Sequence, residues 1–191
     1  VYHTELQDYD FIPKESSDIR LIGMKLDYKN LNLNFYNTDM CILNIGGIDN
    51  MSISFGKCGN LMIRSCEDLR KLQIKSAIEC SKMTIMHCHA FDLRDGFNKV
   101  SNVDNMSITY CDGVTGFDIE KIHVNTLLLS TFNNLQSWRN INDNTIIKEL
   151  NIYDISQLNN FICVMLLETD IITNDNKNIE FKKYEKIKNR S

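Results

Sequence analysis

The chain has 191 residues, of which 43% are hydrophobic and 24% are charged, and it contains a single proline. This composition is typical of one folded domain and excludes a disordered chain. A formal net charge of −4 argues against nucleic acid as a partner for the whole surface, and no apolar run reaches the roughly 20 residues of a membrane helix.

Seven cysteines are spread through apolar positions, and an odd number does not suit a disulfide framework. We therefore expect reduced thiols and a cytoplasmic or nuclear location. The chain begins at Val1, as a fragment or a processed chain would, and no charged-then-apolar signal segment is visible.

The first part of the chain, residues 1–39, is predicted to hold an N-terminal cap and the first strands, with Ile19, Leu21 and Met24 in a cap strand. A weak repeat copy follows, and its inward positions are assigned to Met40, Ile42, Ile45, Ile48 and Met51. The Gly-Gly pair inside this copy predicts a turn, because it lacks the glycine spacing of a phosphate-binding loop.

Five stronger copies then share one spacing, in which apolar residues lie two apart once and afterwards three apart. The copies start at Leu61, Met83, Met106, Leu127 and Leu150, so the steps are 22, 23, 21 and 23 residues. The two-apart pair places two side chains on one face of a strand, and each three-apart step places one apolar side chain at a corner. Stacked coils bury what one coil cannot, so residues 40–161 predict a β-rich repeat solenoid with a parallel sheet.

Residues 162–191 are predicted to form a C-terminal cap and a basic tail. Ile179, Phe181 and Tyr184 form a candidate last strand. The lysines of the tail predict either a contact surface for an acidic partner or a solvent-exposed chain end. Few helices are expected. The best helix candidate is 158–168, where the strand pattern lapses, and 182–188 is the next.

The segment "CGNLMIRSCEDLRKL" resembles the pattern of a leucine-rich repeat, and "VDNMSITYCDGVTGF" matches it column by column. Cys66, Cys88 and Cys111 occupy the column where such repeats carry Asn or Cys, whereas Phe132 and Ile155 depart from it. The cysteine variant is similar to the repeats of F-box substrate receptors. The resemblance implies a right-handed solenoid and, for that class of receptor, substrate recognition in a ubiquitin ligase.

A parallel β-helix is the alternative fold. Short alternating stretches such as "LNLNF" and "MSISF" lie about half a coil from the main strands, which allows two strands per coil. The apolar residues at the corners, which recur three apart in each copy, favour the leucine-rich-repeat geometry.

The candidate reactive groups favour structural roles. In "HCH", Cys88 is predicted to point inward and His87 outward, so a shared zinc ion is not expected, and no metal or cofactor is predicted. Cys58, Cys66, Cys80 and Cys88 fall on core columns, where a buried thiol is inert. Cys41 is predicted to face outward and is the best candidate for a reactive thiol. No nucleophile or paired-carboxylate motif accompanies the four histidines, so we do not expect an enzyme.

The residues between the inward ones form the exposed face of the predicted sheet, which mixes Met, Tyr and Arg with small hydroxyl residues. These three types are enriched at protein interfaces. The predicted partner-binding residues are Arg64, Met86, His87, Tyr110 and Tyr153.

The sequence therefore favours a non-catalytic protein-interaction module that binds a partner protein through the concave face. Three alternatives stay open: the substrate-recognition part of an F-box-type ubiquitin ligase receptor, a polysaccharide-active β-helix enzyme, and self-association through exposed solenoid ends. Neither nucleic acid nor a membrane is expected as a partner.

Overall fold

A computed structural model describes residues 8–11, 18–88, 93, 96–97, 100–111, 114, 116–118, 122–132, 135, 137–139, 146–155, 162–166 and 169–183. Its strands are β1 (Asp8–Phe11), β2 (Asp18–Arg64), β3 (Lys71–Met86), β4 (Val100–Thr109), β5 (Gly116–Asp118), β6 (Ile122–Ser130), β7 (Ser137–Arg139), β8 (Ile146–Tyr153), β9 (Ile162–Leu166), β10 (Ile171–Asn174) and β11 (Ile179–Lys183).

The fold is a β-rich solenoid of parallel strands, a β-helix, and the residues described above contain no helix. One sheet has seven strands in the order β1-β2-β3-β4-β6-β8-β10, and two smaller sheets pair β9 with β11 and β5 with β7. All the strand pairings among the described residues are parallel, and each joins one coil to the next. The prediction of a parallel, β-rich repeat solenoid is confirmed.

The long strand β2, of 47 residues, runs through more than one coil. Its contacts join residues 20 positions apart: the amide of Asn50 donates to Asn30 at 2.7 Å, and the hydroxyl of Ser52 donates to Asn32 at 2.9 Å. The aromatic rings of Phe35 and Phe55 stack at the same step, with centroids 5.2 Å apart.

The five strong repeat copies lie in the predicted register. Leu61 pairs with Met83, Met83 with Met106, Met106 with Leu127, and Leu127 with Leu150. All five side chains are at most 1% exposed, so one apolar column continues through five coils. The alternation of buried and outward residues along each strand follows from the period of two in an extended chain.

The register of the weak first copy was predicted wrongly by one residue. Cys41 and Leu43 are buried and fully inaccessible, whereas Met40 and Ile42 are only half-buried. The prediction assumed a 21-residue step to Leu61, but the contacts within β2 follow a 20-residue step. Because side chains alternate, a slip of one residue exchanges the inward and outward sets. Ile45, Ile48 and Met51 are buried as predicted.

The helix predicted within 158–168 is wrong for 162–166, which form β9 and pair in parallel with β11. The rest of that segment lies outside the described residues. The candidate last strand is confirmed as β11, with Ile179 buried. Its Lys182 and Lys183 also belong to β11 rather than to a helix, and Tyr184 and the remainder of the tail lie outside the described residues.

The Gly-Gly pair lies inside β2 instead of forming a separate turn. Gly47 has a φ of 78°, and a Cβ at this position would meet the backbone of Leu26 in the preceding coil. The glycine thus allows both a left-handed backbone and a close approach between coils.

Among the described residues, no helix is long and apolar enough to cross a membrane.

Candidate functional site

One surface, which we call the outer face, consists of the outward residues of five segments: 60–65, 82–87, 105–110, 126–131 and 149–154. Strand pairing aligns its residues into rows across the coils. One row contains Arg64, Met86, Thr109, Ser130 and Tyr153. A second row contains Met62, Thr84, Ser107, Leu128 and Asn151.

A third row follows the ends of the strands and has left-handed backbone at every coil. Its members are Ser65, His87, Tyr110, Thr131 and Asp154, with φ values of 51°, 51°, 55°, 59° and 53°. Left-handed backbone costs a residue other than glycine about 1–2 kcal/mol. This geometry turns each side chain outward and places the next residue (Cys66, Cys88, Cys111, Phe132 or Ile155) in the core.

Hydrogen bonds between coils hold this left-handed row in place. The N–H of Ser65 donates to the carbonyl of Met86 at 3.1 Å, and the N–H of His87 donates to the carbonyl of Thr109 at 3.3 Å. The N–H groups of Tyr110 and Thr131 donate in the same way to the carbonyls of Ser130 and Tyr153. The positions of these side chains are therefore fixed by the backbone.

At the last coil, a side chain takes the place of the backbone carbonyl that accepts these hydrogen bonds. The N–H of Asp154 donates to both carboxylate oxygens of Asp175, at 3.2 and 3.1 Å, where earlier coils offer a backbone carbonyl. Asp175→Ala should therefore lower the free energy of unfolding by about 1 kcal/mol. Asp175→Asn, which keeps an acceptor oxygen, should retain most of that stability. Urea unfolding followed by circular dichroism measures both; equal stability of Asp175→Ala and wild type would contradict the capping role.

The rings of His87 and Tyr110 stack on each other on adjacent coils. Their centroids are 5.0 Å apart with an interplanar angle of 12°, and Tyr110 is 51% exposed. An aromatic pair of this kind contributes about 0.5–1.5 kcal/mol beyond the area that it buries. The stack is a preformed, solvent-facing aromatic platform near the middle of the outer face.

Of the other three predicted residues, two lie beside this platform and one lies two coils away. Arg64 is exposed one coil before His87, and Met86 is half-buried beside it. Tyr153 is 40% exposed and lies two coils beyond Tyr110. Four of the five residues therefore lie on three adjacent coils, whereas Tyr153 is separated from them by the coil that carries Ser130 and Thr131.

Sequence reasoning missed an apolar extension of the outer face towards the N-terminus. Ile22 is 46% exposed and Met24 is 42% exposed, and the half-buried Met40 and Ile42 lie on the outward side of the next coil. Arg20 contacts the sulfur of Met40 at 3.9 Å, which links the two coils. The correct register of the first copy would have revealed this patch.

Six cysteines lie in the interior: Cys41, Cys58, Cys66, Cys80, Cys88 and Cys111. Cys58 pairs in register with Cys80, and the thiol of Cys80 donates to the carbonyl of Lys82 at 3.2 Å. The hydrogen bond with Cys80, together with burial, raises the pKa of Cys58. The thiols of Cys88 and Cys111 donate to the carbonyls of Met86 and Thr109, each two residues before.

The proposal of Cys41 as a reactive thiol is wrong, because its side chain is fully buried. Burial, with a smaller contribution from the nearby Cys80, raises the pKa of Cys41 from 9.0 to about 12. In the folded protein at pH 8 we expect iodoacetamide to leave Cys41 unmodified, because three units of pKa reduce the thiolate fraction about a thousandfold. The pKa is raised on folding, so this thiol stabilises the fold below pH 9 and loses that effect as the pH rises towards 12.

Peptide mapping by mass spectrometry before and after urea denaturation measures this protection. Modification of Cys41 at the same rate in both conditions would show that the thiol is accessible. The control is a free thiol such as glutathione in the same solution, which should react at equal rates in both.

The "HCH" segment does not gather ligands in the described part of the chain. His87 is exposed and Cys88 is fully buried, so their side chains point to opposite sides; His89 lies outside the described residues. No group of three or more metal-capable side chains occurs among the residues that the structure describes.

Two hollows lie outside the aromatic platform. One, of about 390 Å³, is lined by Asn30, Asn32, Asn50, Met51, Ser52, Lys71, Gln73 and Lys75. The other, of about 460 Å³, lies at the last coil and is lined by Asp154, Ile155, Asp175, Asn176, Lys177 and Asn178. The first contains no carboxylate among its described lining residues. In the second, Asp175 already accepts the N–H of Asp154.

Comparison with protein-family models, with curated proteins and with solved structures finds no match to this chain.

Proposed function

We propose that the chain is a non-catalytic protein-interaction module that binds a partner protein through the outer face. The observation that carries this proposal is the exposed His87–Tyr110 stack, held by the backbone between Arg64 on one side and Tyr153 on the other. Within the described part of the chain, the guanidinium of Arg64 forms no ion pair or hydrogen bond. A partner that binds this group displaces no ion pair or hydrogen bond to a described residue.

The composition of the face supports binding to protein. Arg and Tyr are the residue types that most often concentrate binding energy, and methionine adapts its shape to different partners. Rings that are already stacked and fixed by a rigid sheet lose little conformational freedom when a partner arrives.

The test is affinity capture from cell extract with mass spectrometry, using wild type and the variant Arg64→Ala, Tyr110→Ala, Tyr153→Ala. We expect the variant to lose a protein that wild type retains, since truncation at a hot spot costs about 2 kcal/mol or more. A matched control carries Arg70→Ala and Tyr36→Ala, two exposed residues outside the outer face, and should retain the partner. If the triple variant captures the same proteins as wild type, the outer face is not the binding site.

The leucine-rich-repeat resemblance, and the substrate-recognition role in a ubiquitin ligase that it implies, stay predictions. An adaptor co-purifying with a longer chain would support them. The polysaccharide-active enzyme is less favoured, because Asp175, one of the two neighbouring aspartates at this end of the solenoid, accepts the N–H of Asp154 with both of its carboxylate oxygens.

A further inference from the structure

We infer that the occupant of the outer face is an extended polypeptide segment with an acidic residue at one end, a basic residue at the other, and an apolar residue between them. This inference rests on the proposed function and specifies the chemistry of the partner. It comes from the way in which charge and apolar surface are distributed along the solenoid axis.

The N-terminal coils of the outer face carry positive charge. Arg64 and Lys82 are exposed, and neither side chain forms an ion pair or hydrogen bond with another residue in the part of the chain that the structure describes. Lys82 pairs in register with Asn60, four residues before Arg64, so the two cations lie at opposite ends of the strands. Arg64, in the row of Met86 and Tyr153, is therefore the cation that attracts a carboxylate of the partner.

The C-terminal coils carry negative charge. Asp154 and Asp175 are exposed on neighbouring coils, and Glu149 is half-buried with its oxygens accepting from Asn151 and Thr126. Asp175 is engaged by the N–H of Asp154, but no described hydrogen bond satisfies the carboxylate of Asp154 itself. Both aspartates line the hollow of about 460 Å³ described above, together with Lys177. Two carboxylates and one ammonium group leave a net negative charge in this hollow, so this end of the face suits a cation.

The centre of the face is uncharged and partly apolar. Between Arg64 and Asp154 lie the half-buried Met86, the His87–Tyr110 stack and the hydroxyl residues Thr109 and Ser130. An apolar or aromatic side chain of the partner can pack on the stack, while the hydroxyl groups accept or donate hydrogen bonds to its backbone.

The distance between the charged ends sets the length of the segment. Arg64 and Tyr153 are four strand pairings apart in one row, and strands lie about 4.8 Å apart, which gives about 19 Å. An extended chain covers this distance with about six residues at about 3.3 Å per residue. A short linear segment is long enough to meet both ends.

The test is selection from a phage-displayed library of random linear peptides of about ten residues, a length that covers the span with a margin. Wild type should enrich peptides with an acidic residue and a basic residue about six positions apart. Arg64→Glu makes both ends of the face acidic and should enrich peptides with basic residues at both ends; Asp154→Lys should enrich peptides with acidic residues at both ends. Arg70→Glu alters the net charge as Arg64→Glu does but outside the face, so its selected peptides should match those of wild type.

Fluorescence anisotropy with one selected synthetic peptide then measures the affinities. We expect Arg64→Glu to weaken binding of the mixed-charge peptide about fivefold to tenfold, since an attractive exposed pair becomes repulsive. Suppose that Arg64→Glu and Asp154→Lys select peptides with the same charge pattern as wild type, and that the triple alanine variant does not bind those peptides. That result would overturn this inference and leave the proposed function standing. Failure to enrich any peptide on wild type would also overturn it, and affinity capture would still test the function separately. Peptides that bind wild type and the triple alanine variant equally would overturn both.

Discussion

Replacing Phe117 by alanine is expected to lower the free energy of unfolding by about 3–5 kcal/mol. The side chain is fully buried and packs edge-on against Phe97, with centroids 6.0 Å apart and planes at 77°. Its backbone also pairs with Leu93 and with Trp138, so the backbone around this side chain is fixed by the neighbouring coils on both sides. A cavity between two fixed coils collapses poorly, and poor collapse makes a large-to-small substitution costly.

Urea unfolding monitored by circular dichroism measures this loss. The matched control is Tyr36→Ala, because Tyr36 is 75% exposed and its replacement removes an aromatic ring without leaving a core cavity. In a solenoid each coil contacts only its neighbours, so Phe117→Ala should also broaden or split the transition. A loss of stability no greater than that of Tyr36→Ala would contradict the packing described for Phe117.

The second large effect is expected for Gly47→Ala, which should lower the free energy of unfolding by about 3 kcal/mol or more. The new methyl group would meet the backbone oxygen and carbon of Leu26, and backbone atoms cannot move aside as a flexible side chain can. A φ of 78° adds the cost of a left-handed conformation to this clash.

Gly23 provides a control that separates the two causes. It also has a positive φ, of 65°, but no atom lies within 4 Å of the position that a Cβ would occupy. Gly23→Ala should therefore cost only the backbone term, about 1–2 kcal/mol. Thermal and urea unfolding of both variants provide the comparison, and equal losses would show that the approach of Leu26 does not constrain Gly47.

The repeat could be predicted from the sequence where inward and outward residues differ in polarity. From Leu61 to Ile155 the inward positions are apolar and the outward ones are mixed, so only one register buries the apolar set. Residues 40–43 are Met, Cys, Ile and Leu, and such a run allows two registers because either set is apolar. The segment "FICVMLL" presents the same difficulty, since a continuous apolar run does not distinguish a strand from a helix.

The placement of the candidate face could be predicted, but its local geometry could not. Repeat spacing alone assigns Arg64, Met86 and Tyr153 to one row, as the strand pairing shows. It does not reveal that His87 and Tyr110 have positive φ, because left-handed backbone is unusual for these residues and here depends on hydrogen bonds between coils. The stacking of their rings depends on side-chain rotamers that no spacing specifies.

The nearly constant step between coils has a consequence for the kinetics of folding. Paired residues along the main sheet are separated by about one coil, 20–23 residues, in a chain of 191, which gives a relative contact order of about 0.1. Parallel sheets usually need distant segments to meet before any pairing forms, whereas here the loop that must close has the same modest length at every coil. Folding can therefore nucleate at any pair of neighbouring coils and advance in both directions, with a rate closer to that of a helical bundle than to that of a β-sandwich.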